Sequence, residues 1–286
     1  MAKRKQLSEI SPLFYNVAVK KETVKRHMEN ILKQKTFSTE IGEEILPNIV
    51  YKYASDLIKT GKDIDPILQE NKAFNINLSA SKINGIIIHP NEEFSFWKLV
   101  GKIKESNGYR EGRVIINNKV QAGIGGGLCN LANSLNLLVL HSPLEITEFH
   151  NHSDALAPDN GERKPLKNGT SVSYNYVDYR FKNTTSQNMQ VRLWCEENKL
   201  FAELRSEHEL AEKHYIVEED HHFVENSDKY YRKSKIYKIT QDAITSKTLK
   251  KELVLDNYSE VMFDYNLIPN EQIRRSATIE NKKEVS

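Results

Sequence analysis

Three consecutive glycines, Gly125, Gly126 and Gly127, run through Leu128 and Cys129 into an apolar segment that ends at Leu140. Glycine in regular structure costs conformational entropy, so a run of three belongs where the backbone needs φ > 0 or where another group must approach closely. Leu128, Ala132, Leu135 and Val139 recur at helical spacing, with Asn130, Asn133 and Asn136 between them, so the pattern predicts a helix that opens at the glycines. Cys129 then lies in its first turn. The partial positive charge at a helix N-terminus favours an anion and lowers a thiol pKa toward the nucleophilic thiolate. The other reading of the same residue is a small side chain buried under the helix.

The chain has 286 residues, enough for one large domain or two smaller ones. Hydrophobic residues make up 38% and none of their runs is long enough to cross a bilayer. The first residues are basic but lack an apolar core behind the charge, so no secretory signal is visible and a cytoplasmic location is expected. With 41 basic and 39 acidic residues, wholesale nucleic-acid binding is not expected, although the first 35 residues are locally basic and could meet an anionic surface. Two cysteines, Cys129 and Cys195, form no disulfide framework and suit a reducing compartment.

In chain order, residues 15–35 read as a basic covering helix with Val17, Val24, Met28, Ile31 and Leu32 on an imperfect stripe. A second helical pattern runs through Ile45, Ile49, Tyr53, Leu57 and Ile58, and Asp65-Pro66 marks a turn. Ala73 to Leu78 and Gly85 to His89 alternate like strands, and Phe94, Phe96 and Trp97 read as core anchors. Val114 to Val120 has the shape of a hairpin around Asn117-Asn118, and Gln190 to Leu204 that of another around Glu197-Asn198-Lys199. Beyond Arg205 the sequence is highly charged, recovering strand character at Lys229 to Ile239 and Glu252 to Tyr265; His221-His222 reads as a solvated pair.

After the cysteine helix, Leu144 to Asn151 alternates so that Glu148, His150 and His152 share one face of a strand. That row fits a general base for Cys129, metal ligands, or polar groups at a sheet edge. A cysteine nucleophile needs an imidazole in hydrogen-bond reach and a third group to orient it. Asp178, in the strand-like stretch Ser171 to Phe181, is the candidate orienting group; an ion pair with Arg180 is its alternative.

Several linked patterns carry a family resemblance: Glu92-Glu93-Phe94-Ser95-Phe96-Trp97, the glycine run with Cys129 and Asn130, His141-Ser142-Pro143-Leu144, His150-Asn151-His152-Ser153, and Asp178-Tyr179-Arg180-Phe181-Lys182-Asn183. Together they resemble the VanW family, named for an accessory protein of vancomycin B-type resistance clusters. The similarity covers roughly residues 40–205. The chain departs from the family pattern at Asn91, where glycine is usual, at Asn130, where glutamine is usual, and at Phe149, where arginine is usual.

Some cell-wall members of that family look like cysteine L,D-transpeptidases, so the resemblance implies that Cys129 is the nucleophile of acyl transfer on a peptidoglycan-related or other small peptide. His152 is then the preferred base and His150 the second choice, with Asp178 behind them. Backbone amides at the Gly126-Gly127 turn, with Asn130 and Ser153, would hold substrate or oxyanion. No cofactor is expected. The competing classes are a non-catalytic accessory protein that recognises wall precursors or a partner, and a zinc hydrolase using Cys129, His150 and His152. The expected architecture is α+β: an N-terminal helical region (1–70), a VanW-like core (71–205) with the central cysteine helix and a mainly antiparallel sheet, and a charged, β-rich C-terminal extension (206–286).

Overall fold

A computed structural model describes residues 21–274 apart from 22, 27, 29, 33–34, 59–63, 117–118, 157, 160–162, 167–168 and 175–176. The architecture is α+β, with antiparallel sheets throughout. The central sheet has the order β1-β9-β8-β2, from β1 (Asn48–Asp56), β9 (Lys199–Ser206), β8 (Met189–Glu196) and β2 (Ile87–Ile88). Against it pack two helices, α1 (Pro66–Ile83) and α3 (Leu128–Leu140). Ile76, Ile83, Leu131, Leu135 and Leu138 from the helices meet Val191, Leu193, Ala202 and Leu204 from the sheet in one buried cluster.

A small second sheet, β3-β7-β6, joins β3 (Glu93–Ser95), β7 (Arg180–Lys182) and β6 (Glu145–Glu148). The short helix α2 (Phe96–Val100) follows β3 directly. Phe94 and Phe96 are fully buried, and Phe94 stacks on Phe181 across the β3-β7 pair. The hairpin β4 (Glu111–Ile116) and β5 (Lys119–Ile124) leads into the glycine run, as the sequence pattern predicts.

Three elements differ from the sequence expectation. The stretch around Ile45 to Ile58 is strand β1 and not a helix: it pairs with β9 along its whole length, apart from a bulge between Ile49 and Tyr51. Ala73 to Leu78 is helical, the middle of α1. Asp65, read as a turn, is its N-cap: the carboxylate accepts from the amides of Ile67 and Leu68, with Pro66 following at the first helical position. Six alternating residues satisfy a helical period as well as a strand period, and the cap decided the matter. Among the described residues of the predicted strand Ser171 to Phe181, only the last two enter a strand, β7, beyond a bridge between Ser173 and Val177.

The charged C-terminal region begins with a long strand, β10 (Glu212–Asn226), which pairs with β11 (Lys229–Asp242), itself paired with β12 (Thr248–Glu260). Charge did not prevent a strand here, because alternate side chains of the sheet remain in solvent. The sheet docks on the core where Ile236 meets Leu137 and Leu140 of α3. Lys238 crosses the same junction: its Nζ donates to the carbonyls of Ser142 (2.5 Å) and Leu144 (3.4 Å), just past the C-terminus of α3. His222 is buried in this sheet, so the pair His221-His222 is not the solvated pair its surroundings in sequence suggested.

Candidate functional site

Each glycine of the run answers a local demand. Gly125 and Gly127 have φ of +77° and +104°, in the left-handed region that favours glycine. Gly126 does not, but a Cβ there would lie 2.5 Å from Arg113 N and 2.6 Å from Gly112 O of β4, so two backbones cross at this point. A Cβ on Gly127 would meet Cγ of Lys72 on α1 at 2.5 Å. The group that the glycines admit so closely is the protein's own chain.

The turn is fastened by Asn75 of α1, a fully buried amide. Its Nδ2 donates to Arg110 O (2.9 Å) and Gly126 O (3.1 Å), while its Oδ1 accepts from Arg110 N (2.8 Å). Asn75 was not singled out from sequence, although an asparagine at core spacing on an apolar helix face is the signal that would have found it. Gly127 is the N-cap of α3 and supplies no side-chain cap. Cys129 lies in the first turn, as predicted, and Asn130 beside it accepts from Ser55 Oγ of β1 at 3.1 Å. Asn130 is thereby engaged with the central sheet.

The thiol does not meet an imidazole. Cys129 Sγ donates a long hydrogen bond, 3.9 Å, to Val172 O. Burial pushes the thiol pKa up, and the backbone hydrogen bonding at Val172 and Cys129 that opposes the rise is weaker. Burial thus opposes the depressed pKa expected of a thiol at a helix start.

The register of residues 169–172 explains the separation. Asn151 and Thr170 form a bridge; His152 N donates to Gly169 O (2.8 Å) and Ser171 N to His150 O (2.8 Å). On its other edge the same segment faces α3, with Thr170 N and Oγ1 donating to Asn133 Oδ1 (3.4 and 2.8 Å) and Val172 O receiving the Cys129 thiol. A strand-like segment thus stands between the cysteine helix and the histidine row. Among the described residues neither His150 nor His152 hydrogen-bonds Cys129.

His152 Nδ1 faces Ser153 O at 2.8 Å. A carbonyl only accepts, so Nδ1 carries the proton and Nε2 is the basic nitrogen. Burial lowers the pKa of this imidazole, which keeps it neutral near pH 7. His150 is more exposed and faces Glu148 Oε1 at 3.1 Å. Ser153 Oγ donates to Glu260 O (2.7 Å) and accepts from Ala155 N (3.1 Å), tying its loop to β12.

Asp178 is buried and fully occupied. It accepts from Ser95 Oγ (2.6 Å), the amides of Trp97 (3.1 Å) and Tyr179 (2.9 Å), and Arg180 Nε (2.7 Å). The alternative reading, an ion pair with Arg180, is the arrangement present; no histidine is oriented by Asp178 among the described residues. Glu148 sits beside it, holding Arg26 through two bonds (2.6 and 2.8 Å) and accepting from Asp178 N (3.1 Å); these contacts keep its carboxyl below the usual range despite burial. No group of three His, Cys, Asp or Glu is gathered as for a metal ion among the described residues, so the zinc arrangement of Cys129, His150 and His152 is not formed.

Comparison with known proteins gives a consistent picture. The family described as VanW like protein matches residues 71–205. Vancomycin B-type resistance protein VanW of Enterococcus faecalis is 26% identical over 229 residues, covering 79% of this chain and 82% of that protein. Uncharacterized protein YoaR of Bacillus subtilis is 29% identical over 123 residues, covering 43% of this chain and 39% of its own. No solved structure matches.

Proposed function

This chain belongs to the VanW family, and we propose that its core carries out cysteine-dependent acyl transfer on a peptidoglycan-related peptide. The observation that supports this reading is the placement of Cys129 in the first turn of α3, behind a glycine N-cap that offers no side chain. The first amides of a helix have no intrahelical partner, and an uncapped start leaves them suited to a developing oxyanion.

In this mechanism Cys129 gives up its proton as Sγ attacks the acyl carbonyl carbon. The oxyanion forms against the amides at the helix start. Collapse breaks the C–N bond; the amine leaves with the proton, and a thioester remains. An incoming amine, or water, then attacks the thioester and restores the thiol. His152, neutral at rest with Nε2 basic, has the right charge state to carry the proton. Its path to the thiol requires residues 169–172 to move aside, and the 3.9 Å bond to Val172 O is the contact that has to break.

A second reading rests on that same contact: a thiol held protonated against a carbonyl suits an accessory protein that binds wall peptides without reacting. One experiment separates the two. The full chain is incubated with a peptidoglycan-derived peptide, and covalent adducts are sought by intact-mass spectrometry in wild type, Cys129→Ala, Cys195→Ala and His152→Ala. Acyl transfer predicts a thioester adduct that disappears in Cys129→Ala, persists in Cys195→Ala and forms about 100-fold or more slowly in His152→Ala. Peptide binding without any adduct would instead establish the accessory reading.

A further inference from the structure

The helix at residues 21–32 lies on the protein with its polar side inward. Arg26 makes a two-point ion pair with Glu148 (2.6 and 2.8 Å), and Asn30 Oδ1 accepts from Arg180 NH1 (2.8 Å). Just past the helix, Lys35 Nζ reaches Glu93 Oε1 at 2.7 Å. These bonds fix which way the helix faces.

The side turned to solvent is apolar. Val24, Met28, Ile31 and Leu32 are 57%, 58%, 75% and 78% exposed. Their spacing of four, three and one residues puts them on one stripe at the helical period. An ordinary surface helix turns such a stripe into the core; here specific ion pairs hold it outward. Lys21 and Lys25 are also exposed; at the same period Lys25 borders the stripe and Lys21 continues it at the N-terminal end. The first 35 residues carry nine Lys or Arg against three Glu, whereas the whole chain is nearly balanced.

We propose that this helix docks the protein on an anionic lipid surface, its apolar stripe entering the boundary between headgroups and acyl chains and its lysines meeting the anionic headgroups. Charge selects this occupant over a second copy, because symmetric pairing through the stripe would bring two strongly basic segments together. The proposal is independent of any chemistry at Cys129.

The test is co-sedimentation of the full chain with vesicles of phosphatidylcholine, with and without phosphatidylglycerol. Wild type is expected to sediment with the anionic vesicles, to remain in solution with phosphatidylcholine alone, and to be released by salt. Ile31→Ser/Leu32→Ser should lower the partition at least tenfold. Lys21→Gln or Lys25→Gln should each lower it about fivefold, from roughly 1 kcal/mol per basic residue near such a surface. All four positions are exposed, so the variants should retain the wild-type melting transition, and a thermal melt verifies it. The proposal is overturned if wild type does not sediment with anionic vesicles, if it sediments equally with both kinds, or if the stripe variants bind as wild type does. Light scattering that shows a dimer dissolved by Ile31→Ser/Leu32→Ser would overturn it in favour of self-association.

Discussion

Gly126→Ala isolates close backbone approach from backbone conformation, because Gly126 is the member of the glycine run outside the left-handed region. The added methyl would lie 2.5 Å from Arg113 N and 2.6 Å from Gly112 O. Ordinary contacts between such atoms begin near 3.5 Å, so β4 and the start of α3 must part by about 1 Å. Both sides are backbone and cannot rotate away, which places the cost at the upper end of overpacking, about 3 kcal/mol. Parting also stretches the 3.1 Å bond from Asn75 Nδ2 to Gly126 O. Asn75 retains its bond to Arg110 O, so this second loss is about 1 kcal/mol.

The total, about 4 kcal/mol, corresponds to a fall in melting temperature of about 8–16 °C at ~2–4 °C per kcal/mol. Thermal unfolding by circular dichroism measures it. Gly101→Ala is the companion, since no atom lies within 4 Å of its added Cβ but its φ is +74°. That variant should lose only the conformational cost, about 1–3 kcal/mol for a backbone with ψ of −162° at positive φ. If Gly126→Ala melts within about 2 °C of wild type, or falls no further than Gly101→Ala, the crossing of two backbones is not what requires glycine there.

Other substitutions probe the remaining contacts. Asp178→Asn should destabilise by about 3 kcal/mol in urea unfolding, because it leaves the buried Arg180 guanidinium without its nearest carboxylate, at 2.7 Å. Asn91 has φ of +69°, so Asn91→Gly should be within about 0.5 kcal/mol of wild type and Asn91→Ala about 1 kcal/mol less stable. Alkylation of Cys129 in the resting protein should be unchanged by His152→Ala, since the thiol meets Val172 O and not the imidazole; a large drop would place the base at the thiol. Burial and Lys238 lower the pKa of His214 to about 4, below the ordinary 6.5. The unfolded chain therefore binds more protons between those values, and stability should fall as pH drops through 6.5 toward 4. Lys238→Met removes one of the causes and should flatten that limb of the urea midpoint against pH.

The cysteine helix and both hairpins were legible because each rests on local signals: a glycine turn into a helical period, and turn residues between alternating arms. The exchange of helix and strand at Ile45 to Ile58 and Ala73 to Leu78 has a common cause. Short apolar patterns fit both periods, and pairing with β9 or capping by Asp65 settles them. The candidate site was legible in part. Cys129 and the histidine row could be read, but the relation between them depends on residues 169–172, whose place between the two is set by Asn133 on one side and Asn151 on the other. No local pattern encodes such a pairing. Asp178 was visible as an orienting acid or an ion-pair partner of Arg180, yet its partners Ser95 and Trp97 lie about 80 residues away in sequence.

The family model ends at residue 205, but the scaffold of the histidine row extends beyond it. Asp154 N donates to Ser259 Oγ (3.3 Å), Ser153 Oγ to Glu260 O (2.7 Å) and Met262 N to Ala155 O (2.9 Å). Arg163 bridges Asp154 and Glu218, and the buried Arg232 reaches Asp159 at 2.9 Å. Ser153, Asp154, Ala155, Asp159 and Arg163 are thus clamped to the C-terminal sheet, soon after His152. His152, just before them, donates to Gly169 O at the start of the segment that covers Cys129, so β10 and β12 are linked to the thiol through hydrogen bonds and short stretches of chain. Loosening the clamp, for example by Arg163→Ala, frees one end of the element that must move for the thiol to react. On the acyl-transfer reading this variant should alter adduct formation at Cys129 with its own nucleophile intact, whereas a sheet that merely decorates the core would leave that rate unchanged.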